Sequence, residues 1–499
     1  MRKVMKLFKF KNIKLFTVGL IGSLTLATTF TSTTLFAANP VKSNETGKVL
    51  YNGQKSVKYV FLLIGDGMAA TQIDVARKFN EKPLALDKFS THGTISTRST
   101  NSYVTDSAAA ATALACGKKT FNGMLGVDAK GKPLVSIAEK AKKYSKRKVG
   151  IISTVCLNHA TPAAFYAKTT NRGEYYNIGI EMLNNANVDF FGGGGFNQRK
   201  GPKGDLFDLA KKSKFKFINT KEGFNNLKNG EMQPILAIAP RLVGPVTNEG
   251  ASLPKSIDYR AGDISLAEFT AKGIEVLDNK NGFFMMIEGG QIDWSCHEND
   301  GATMIKEMLA FDDAIKVVYE FAKMHPDETL IVVCGDHETG GMKMGLSGTQ
   351  PHTYREVLSK QKSSAQEFNK KLTAVASKFK PTKNKKVFNQ QFEEVMNVIN
   401  DTFNTNFTAS EKNKIKEGFT AYVEKNKIYG KYNQITVSVL HILNKRAGFT
   451  WSTFNHTATP TSVFAEGKGA EIFAGAYRND QLAIKLMSIL GVPAKIEYK

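Results

Sequence analysis

The sequence predicts an α/β protein: a three-layer sandwich with a central, largely parallel sheet and a helical insertion. Short apolar runs recur along the chain, and each is followed by a glycine-rich or polar corner. Runs without polar alternation indicate strands buried on both faces, which is typical of parallel sheets covered by helices. The predicted strands of this kind span residues 59–64, 149–155, 188–191, 283–287 and 330–334.

Helical stretches lie between the apolar runs, for example at 264–277 and 303–323. Residues 346–450 differ in composition, because they are rich in Lys, Asn and Phe and show helical spacing at 392–403 and 409–423. We interpret this segment as a helical insertion into one large domain, 39–499.

The amino terminus resembles a secretory signal. Residues 1–14 carry six basic side chains and no acid, residues 15–41 are uncharged, and Ala37-Ala38 offers small residues for cleavage. We therefore predict a signal peptide at 1–38, export to a periplasm or the extracellular space, and no stable membrane anchor after cleavage. An uncleaved anchor is the alternative, since the uncharged stretch is long enough to span a bilayer.

The chain has a formal net charge of +23. Lysines are dispersed, and no stacked-aromatic nucleic-acid motif is evident, so a solvated basic surface is favoured over specific nucleic-acid binding. Such a surface also attracts anionic substrates. The four cysteines show no C-x-x-C spacing. Export would permit disulfides, but Cys116, Cys156 and Cys334 lie in or beside apolar runs, which favours buried free thiols.

The segment after Val104 suggests a nucleophile. Asp106 and Ser107 occupy the N-cap and first turn of an alanine-rich helix that Gly117 should end. A serine there feels the positive end of the helix dipole, which favours its alkoxide and a bound anion. An ordinary serine cap is the alternative for this segment alone.

Acidic and imidazole side chains follow the strands, where ligands of parallel sheets bind. Asp293 and His297 are four residues apart on one helical face, and Asp336-His337 with Asp66 can form a second site. Mixed carboxylate and imidazole donors suit Zn²⁺, whereas the oxygens of Asp66, Thr161 and Glu288 suit Mg²⁺. Taken singly, an Asp–His pair is more often a solvated surface pair.

Taken together, these motifs resemble those of the alkaline phosphatases. The matching segments occur in the family's order over residues ~57 to 475, nearly all of the mature chain. They include Asp66-Gly67-Met68, Thr105-Asp106-Ser107-Ala108-Ala109, Glu288-Gly289-Gly290-Gln291-Ile292-Asp293, Gly335-Asp336-His337-Glu338-Thr339-Gly340-Gly341 and Asn455-His456-Thr457.

The resemblance implies a role for each matching residue. Ser107 would be the nucleophile and form a phosphoserine, and Arg172, oriented by Asp106, would clamp the phosphate. The implied cofactors are two Zn²⁺ and one Mg²⁺ per chain. The implied metal ligands are Asp293, His297 and His456 for one zinc, Asp66, Asp336 and His337 for the other, and Asp66, Thr161 and Glu288 for magnesium.

Two positions vary within this family, and here they are His159 and Trp294. We interpret His159 as a residue that supports the magnesium site from outside the ligand shell. Trp294 either walls the phosphate site or simply packs. Cys296 has suitable spacing for a thiolate ligand, but the resemblance assigns it none.

We predict that the protein is an exported phosphomonoesterase that releases inorganic phosphate and acts above neutral pH. We predict a homodimer, with a monomer as the alternative. A phosphodiesterase or a sulfatase is the enzymatic alternative, although the Cys/Ser-x-Pro-x-Arg pattern of sulfatases is missing near Ser107. A surface protein that binds phosphate or polyanions without turnover is the non-enzymatic alternative.

Overall fold

The computed structural model describes residues 57–80, 82–244, 251–345 and 355–499. The predicted signal peptide, 1–38, lies outside these residues, as does the start of the predicted insertion, 346–354. Among the described residues, no helix combines the length and the apolarity needed to cross a bilayer.

The described residues form sixteen strands. They are β1 (Tyr59–Gly65), β2 (Thr91–Ser96), β3 (Lys148–Ser153), β4 (Phe190–Gly193), β5 (Lys200–Gly201), β6 (Gly204–Asp205), β7 (Lys216–Ile218), β8 (Ile235–Ile238), β9 (Phe283–Gly289), β10 (Thr329–Gly335), β11 (Glu338–Thr339), β12 (Lys343–Met344), β13 (Phe449–Thr450), β14 (His456–Thr457), β15 (Thr461–Gly467) and β16 (Gly475–Arg478).

The same residues form sixteen α-helices. They are α1 (Ala70–Phe79), α2 (Ser107–Cys116), α3 (Ile137–Ser145), α4 (Ala160–Ala163), α5 (Tyr175–Asn184), α6 (Leu206–Lys211), α7 (Lys221–Asn225), α8 (Leu266–Leu277), α9 (Gln291–His297), α10 (Gly301–Met324), α11 (Arg355–Ser359), α12 (Ala365–Ala376), α13 (Lys385–Phe403), α14 (Ala409–Val423), α15 (Gln434–Ala447) and α16 (Asn479–Leu490).

Ten strands make one sheet, in the order β16-β2-β15-β10-β1-β9-β3-β4-β8-β7. Every neighbouring pair is parallel except the two pairs that β15 makes, with β10 and with β2. The prediction of a largely parallel sheet is therefore confirmed, and β15 is the one antiparallel strand within it.

The sheet is covered on both faces, as its unbroken apolar strands predict. In β1 every residue is buried, and alternate side chains enter different apolar clusters. Tyr59, Phe61 and Leu63 pack on the face covered by α8 and α10, whereas the residues between them pack on the face covered by α2, α3 and α16. This is the predicted three-layer sandwich.

The predicted insertion contains helices α11 to α15, which follow β12 and precede β13. These two strands pair with each other, Lys343 with Thr450 and Met344 with Phe449, so the chain leaves and re-enters the domain at adjacent points. Buried residues of the helices, such as Phe368 and Phe419, continue the apolar cluster on the α8–α10 face. The boundaries 39–499 and 346–450 stay predictions.

One ion pair connects the last two helices of the insertion. Arg446 Nε on α15 donates to Glu411 Oε1 on α14 at 2.7 Å, and Glu411 Oε2 also accepts from the Thr408 backbone N–H at 2.8 Å. The hydrogen bond from Arg446 lowers the pKa of Glu411 to about 2. A carboxyl group with a depressed pKa stabilises the folded state above its unfolded pKa, and this stabilisation is lost as the pH falls.

We expect Glu411→Gln to destabilise the insertion at pH 6. The difference in free energy of unfolding between the variant and the parent protein should become smaller as the pH falls from about 5 to about 2. Denaturant unfolding of both metal-free proteins across this range would measure this difference. Glu417→Gln is the matched control, since Glu417 is exposed on the same helix. If the difference in free energy of unfolding does not change with pH, the ion pair does not stabilise the insertion in this way.

Candidate active site

The predicted nucleophile begins helix α2. Asp106 is the N-cap residue, and its Oδ1 accepts from the Ala109 backbone N–H at 3.0 Å. Gly117 ends the helix with φ of 72°, a left-handed conformation that glycine adopts without a Cβ clash. All ten helical residues are buried, and Ser107 is only 2% exposed. The Ser107 hydroxyl therefore lies at the positive end of a fully encased helix.

The acidic residues of the site follow three adjacent strands of the sheet. Asp66 directly follows β1, Glu288 is near the end of β9, and Asp336 and His337 directly follow β10. Because β10, β1 and β9 are parallel neighbours, their carboxyl ends meet at one edge of the sheet. The predicted convergence of these side chains is what the structure shows.

His337 lies at the centre of this edge. Its Nε2 is 3.0 Å from Ser107 Oγ, 3.3 Å from Asp66 Oδ1 and 3.3 Å from Asp336 Oδ2. Donor atoms of Asp66, Asp336 and His337 lie within 4.8 Å of one another, which is close enough to share one ion. The serine oxygen thus borders a cluster with the composition expected for zinc.

Asp293 and His297 lie on α9, beside this cluster. Asp293 Oδ2 is 3.3 Å from His297 Nε2, and Asp293 Oδ1 is 3.5 Å from His456 Nε2. The two imidazole Nε2 atoms are themselves 3.2 Å apart. Donor atoms of Asp293, His337 and His456 form a second group within 4.8 Å. Asp293, His297 and His456 therefore lie together, and His337 is close to both groups.

A third group contains Asp66, Glu288 and His159, again with donor atoms within 4.8 Å. Thr161 Oγ1 donates to Asp66 Oδ2 at 3.2 Å, so the predicted Asp66, Thr161 and Glu288 set also comes together. His159 is predicted to lie outside the ligand shell, whereas the structure brings one of its ring nitrogens within 4.8 Å of carboxylate oxygens of Asp66 and Glu288. Its Nδ1 is buried and has no hydrogen-bond partner among the described residues.

The buried carboxylates of the site lie close together and need positive charge beside them, which bound metal ions would supply. Asp66 Oδ1, Asp336 Oδ2 and Glu288 Oε1 are buried and lack hydrogen-bond partners among the described side chains. Burial and the charge of Asp336 raise the pKa of Asp66 well above its usual value, and burial raises the pKa of Glu288 to about 7. Buried carboxylates without partners are costly unless a cation compensates them. The donor set therefore fits Zn²⁺ and Mg²⁺.

Arg172 lies in the loop before α5 and contacts Asp106, the residue next to Ser107. Its Nη1 donates to Asp106 Oδ2 at 3.0 Å, and its Nη2 lies 3.3 Å from His159 Nε2. The Arg172 backbone N–H donates to the Gly123 carbonyl at 2.7 Å, and Gly123 N–H in turn donates to Asp106 Oδ2 at 2.9 Å. The guanidinium is therefore fixed by Asp106, as predicted, and is only 23% exposed.

Several groups that support the site were not predicted from the sequence. Thr339 Oγ1 donates to Asp293 Oδ1 at 2.5 Å and lies 3.2 Å from His337 Nδ1. Backbone carbonyls orient the other two rings: Thr105 O lies 2.8 Å from His456 Nδ1, and Phe454 O lies 2.5 Å from His297 Nδ1. Such carbonyls fix which imidazole nitrogen faces the cluster. Only Thr339 has a side chain that the sequence could have indicated.

The cysteines are outside this chemistry. All four are free and buried, as predicted. Burial raises the pKa of the Cys296 thiol well above its usual value.

Trp294 borders an open cavity beside the cluster. Its ring meets the His159 ring edge-on, with centroids 5.7 Å apart and an interplanar angle of 86°. The cavity has a volume of about 530 Å³, and Trp294, His159 and His297 are among the residues that line it. Trp294 therefore walls this space as well as packing on His159.

Comparison with known proteins identifies a matching family model and similar sequences. The family model described as "Alkaline phosphatase" matches residues 57–492. "Alkaline phosphatase 4" of Bacillus subtilis (strain 168) is 29% identical over 503 residues, which cover 98% of this chain and 99% of that protein. "Alkaline phosphatase" of Escherichia coli (strain K12) is 31% identical over 333 residues, which cover 57% of this chain and 70% of that protein.

Solved structures show the same fold. The cold-active alkaline phosphatase of a psychrophilic Shewanella species aligns with a TM-score of 0.71 and 28% identity, over 87% of this chain and 99% of that one. The alkaline phosphatase of Thermus thermophilus aligns with a TM-score of 0.72 at 23% identity, over 89% of this chain and 93% of that one, and indicates the fold alone. The chain belongs to the alkaline phosphatase family and is a phosphoric monoester hydrolase.

Proposed function

We propose that the protein is an exported alkaline phosphatase that hydrolyses phosphate monoesters through a phosphoserine on Ser107. The observation that carries this proposal is the position of Ser107 Oγ, at a helix N-terminus and 3.0 Å from His337 in the metal-type cluster. Attack of this oxygen on phosphorus forms one O–P bond and breaks the bond to the leaving oxygen, which departs as an alcohol. Water then attacks phosphorus, restores the serine hydroxyl and releases inorganic phosphate.

The chain's own groups prepare both steps. The amino end of α2 favours negative charge on the serine oxygen and on the bound phosphate. Arg172, held by Asp106, offers two parallel N–H groups to two phosphoryl oxygens. Because both halves of the reaction use the same phosphoryl oxygens, a fixed arginine stabilises both transition states.

The proposed cofactors are two Zn²⁺ and one Mg²⁺ per chain. Asp293, His297 and His456 would hold one zinc, Asp66, Asp336 and His337 the other, and Asp66, Thr161 and Glu288 the magnesium, with His159 close enough to join that site. When bound, these ions supply Lewis-acid stabilisation of the attacking and leaving oxygens and lower the pKa of a coordinated hydroxyl. Activity above neutral pH follows, since the oxygen nucleophiles must lose protons.

Chelation tests the cofactors directly. We expect dialysis against a chelator to abolish hydrolysis of a chromogenic phosphate monoester, and zinc plus magnesium to restore it, with about two zincs and one magnesium bound per chain. Dialysis without chelator is the control. Full activity in chelator would contradict the proposal, and a preference for diesters over monoesters would reassign the substrate.

We expect Arg172→Ala to lower kcat/KM by about tenfold to a hundredfold, because two charge-assisted hydrogen bonds to the phosphate are lost. Arg172→Lys should recover little, since an ammonium cannot make the paired contact. Steady-state kinetics and phosphate inhibition would measure both. Arg478→Ala, which breaks an exposed Arg–Asp pair at β16, is the matched control. If the Arg172→Ala variant binds phosphate as tightly as the parent protein, Arg172 does not contact the phosphate.

The location and assembly of the protein complete the proposal. The composition of residues 1–38 supports cleavage as a signal peptide and release to a periplasm or outside the cell. A homodimer is the proposed assembly, with a monomer as the alternative. Sequencing the mature amino terminus and measuring mass in solution test these two points.

A further inference from the structure

A cavity of about 530 Å³ beside the metal-type cluster is lined both by residues next to the cluster and by residues of the helical insertion. The first set includes His159, Trp294 and His297. The insertion contributes, among others, Asn369 on α12 and the pair Lys431-Tyr432 before α15. A volume of this size suits a small organic group. The proposed phosphoryl chemistry gives no role to these insertion residues.

Aromatic rings wall the cavity. The Tyr432 ring stacks on Phe454, with centroids 4.7 Å apart and an interplanar angle of 24°. Phe454 is also the residue whose carbonyl holds His297 Nδ1. Trp294, itself fixed on His159, provides a second aromatic wall beside the same cluster. These walls are therefore anchored to the site residues, and they favour a planar group by stacking and by apolar contact.

Three lysines line the cavity, and two of them, Lys255 and Lys370, donate hydrogen bonds to neighbouring residues. The Lys255 ammonium is buried and donates to Ser295 Oγ at 2.9 Å and to the Gln291 carbonyl at 3.2 Å, and its charge acts on the nearby Glu298. Lys370 donates to Glu367 Oε1 at 2.5 Å. Lys431 is exposed, and its Nζ lies 5.3 Å from the centroid of the Tyr432 ring. Among the described residues it has no carboxylate partner.

We propose that this cavity binds the leaving group of the phosphate monoester, and that Tyr432 and Lys431 select a planar aromatic leaving group carrying a further negative charge. The inference rests on the proposed phosphatase function and adds a substrate class to it. The phosphoryl group occupies the cluster, the ring lies against the aromatic walls, and the anionic substituent points towards the Lys431 ammonium. Lys431 and Tyr432 are specificity residues here and take no part in bond breaking.

Three substrates test the proposal on the metal-loaded, full-length enzyme. They are 4-carboxyphenyl phosphate, its neutral isostere 4-carbamoylphenyl phosphate, and ethyl phosphate. We expect the parent enzyme to prefer the carboxylate over the amide in kcat/KM. Lys431→Ala should reduce this preference by about threefold to fivefold, which is typical of one exposed charge. Lys431→Arg should retain the preference, and added salt should weaken it in the parent enzyme.

Tyr432→Ala tests the aromatic wall separately. We expect it to lower kcat/KM for both aryl phosphates relative to ethyl phosphate, because the alkyl leaving group makes no stacking contact. Since parent and variant are compared on the same substrates, intrinsic leaving-group reactivity cancels from this ratio. Lys427→Ala is the matched control: Lys427 is exposed in the same connection and does not line the cavity.

The outcomes separate this inference from the proposed function. If Lys431→Ala leaves the carboxylate-to-amide ratio unchanged, or if Lys427→Ala lowers it equally, the charge selection is wrong. If Tyr432→Ala leaves the aryl-to-ethyl ratio unchanged, the cavity does not hold the leaving group. If the metal-loaded parent enzyme hydrolyses none of the three monoesters, the proposed function itself fails.

Discussion

The Ser107→Ala variant is expected to lose about a thousandfold or more in kcat, corresponding to at least ~4 kcal/mol of transition-state stabilisation. The change removes the only hydroxyl that lies both at the amino end of α2 and 3.0 Å from His337 among the described residues. Water can still attack a bound phosphoryl group, so a small residual rate should remain. Steady-state kinetics, together with trapping of phosphoserine at low pH, would measure both effects.

The fold should tolerate this substitution. Alanine is a good helix former, and Asp106 still caps the helix. Metal content and the thermal midpoint should therefore change little. Ser102→Ala, in the loop before the helix, is the matched control and should retain full activity. A Ser107→Ala enzyme with more than about a tenth of the parent kcat would lose less than ~1.4 kcal/mol, and another group would then have to be the nucleophile.

Asp66→Asn should have the second largest effect, because Asp66 belongs to two of the three candidate metal groups. An amide cannot supply the negative charge that two neighbouring cations require. We expect the bound metal to fall from three ions to about one per chain, and kcat/KM to fall by about a hundredfold or more. Elemental analysis after gel filtration, on the same samples used for kinetics, would measure both.

The Glu288→Gln variant tests whether Asp66 belongs to two metal sites, because Glu288 belongs to only one candidate group. Glu288 belongs to one candidate group, so its replacement should remove the magnesium and leave the zinc. Excess magnesium should rescue Glu288→Gln better than it rescues Asp66→Asn. Equal metal content in the two variants would contradict the placement of Asp66 between the two sites.

The sequence predicted the strands and helices that carry the site because their signals are local. Unbroken apolar runs correctly indicated β1, β9 and β10, and the Asp106 and Gly117 caps correctly bounded α2. The last two strands at the β16 side of the sheet gave no such signal. In β2 the exposed and partly buried positions outnumber the buried one, and its partner β16 is mostly exposed. The antiparallel direction of β15 depends on the path of the whole chain, which no local pattern encodes.

The convergence of the site residues could be predicted because parallel strands bring their carboxyl ends to one edge. The remaining contacts could not, since they depend on tertiary packing. The carbonyls of Thr105 and Phe454 orient two histidines, but every residue has a carbonyl, so neither has a sequence signature. Lys431 and Tyr432 line the same cavity as Trp294 and His297 of α9, although they are far from α9 in the chain.

Helix α2 has no face in contact with solvent, since all ten of its residues are buried. A larger side chain at any of its alanines would overpack the surrounding layer, and a polar one would lack a partner. The serine is therefore carried on a segment with almost no mutational freedom, whereas α14 of the insertion presents many exposed positions. We therefore expect random variation to change the exposed surface of the insertion long before it changes the helix that carries Ser107.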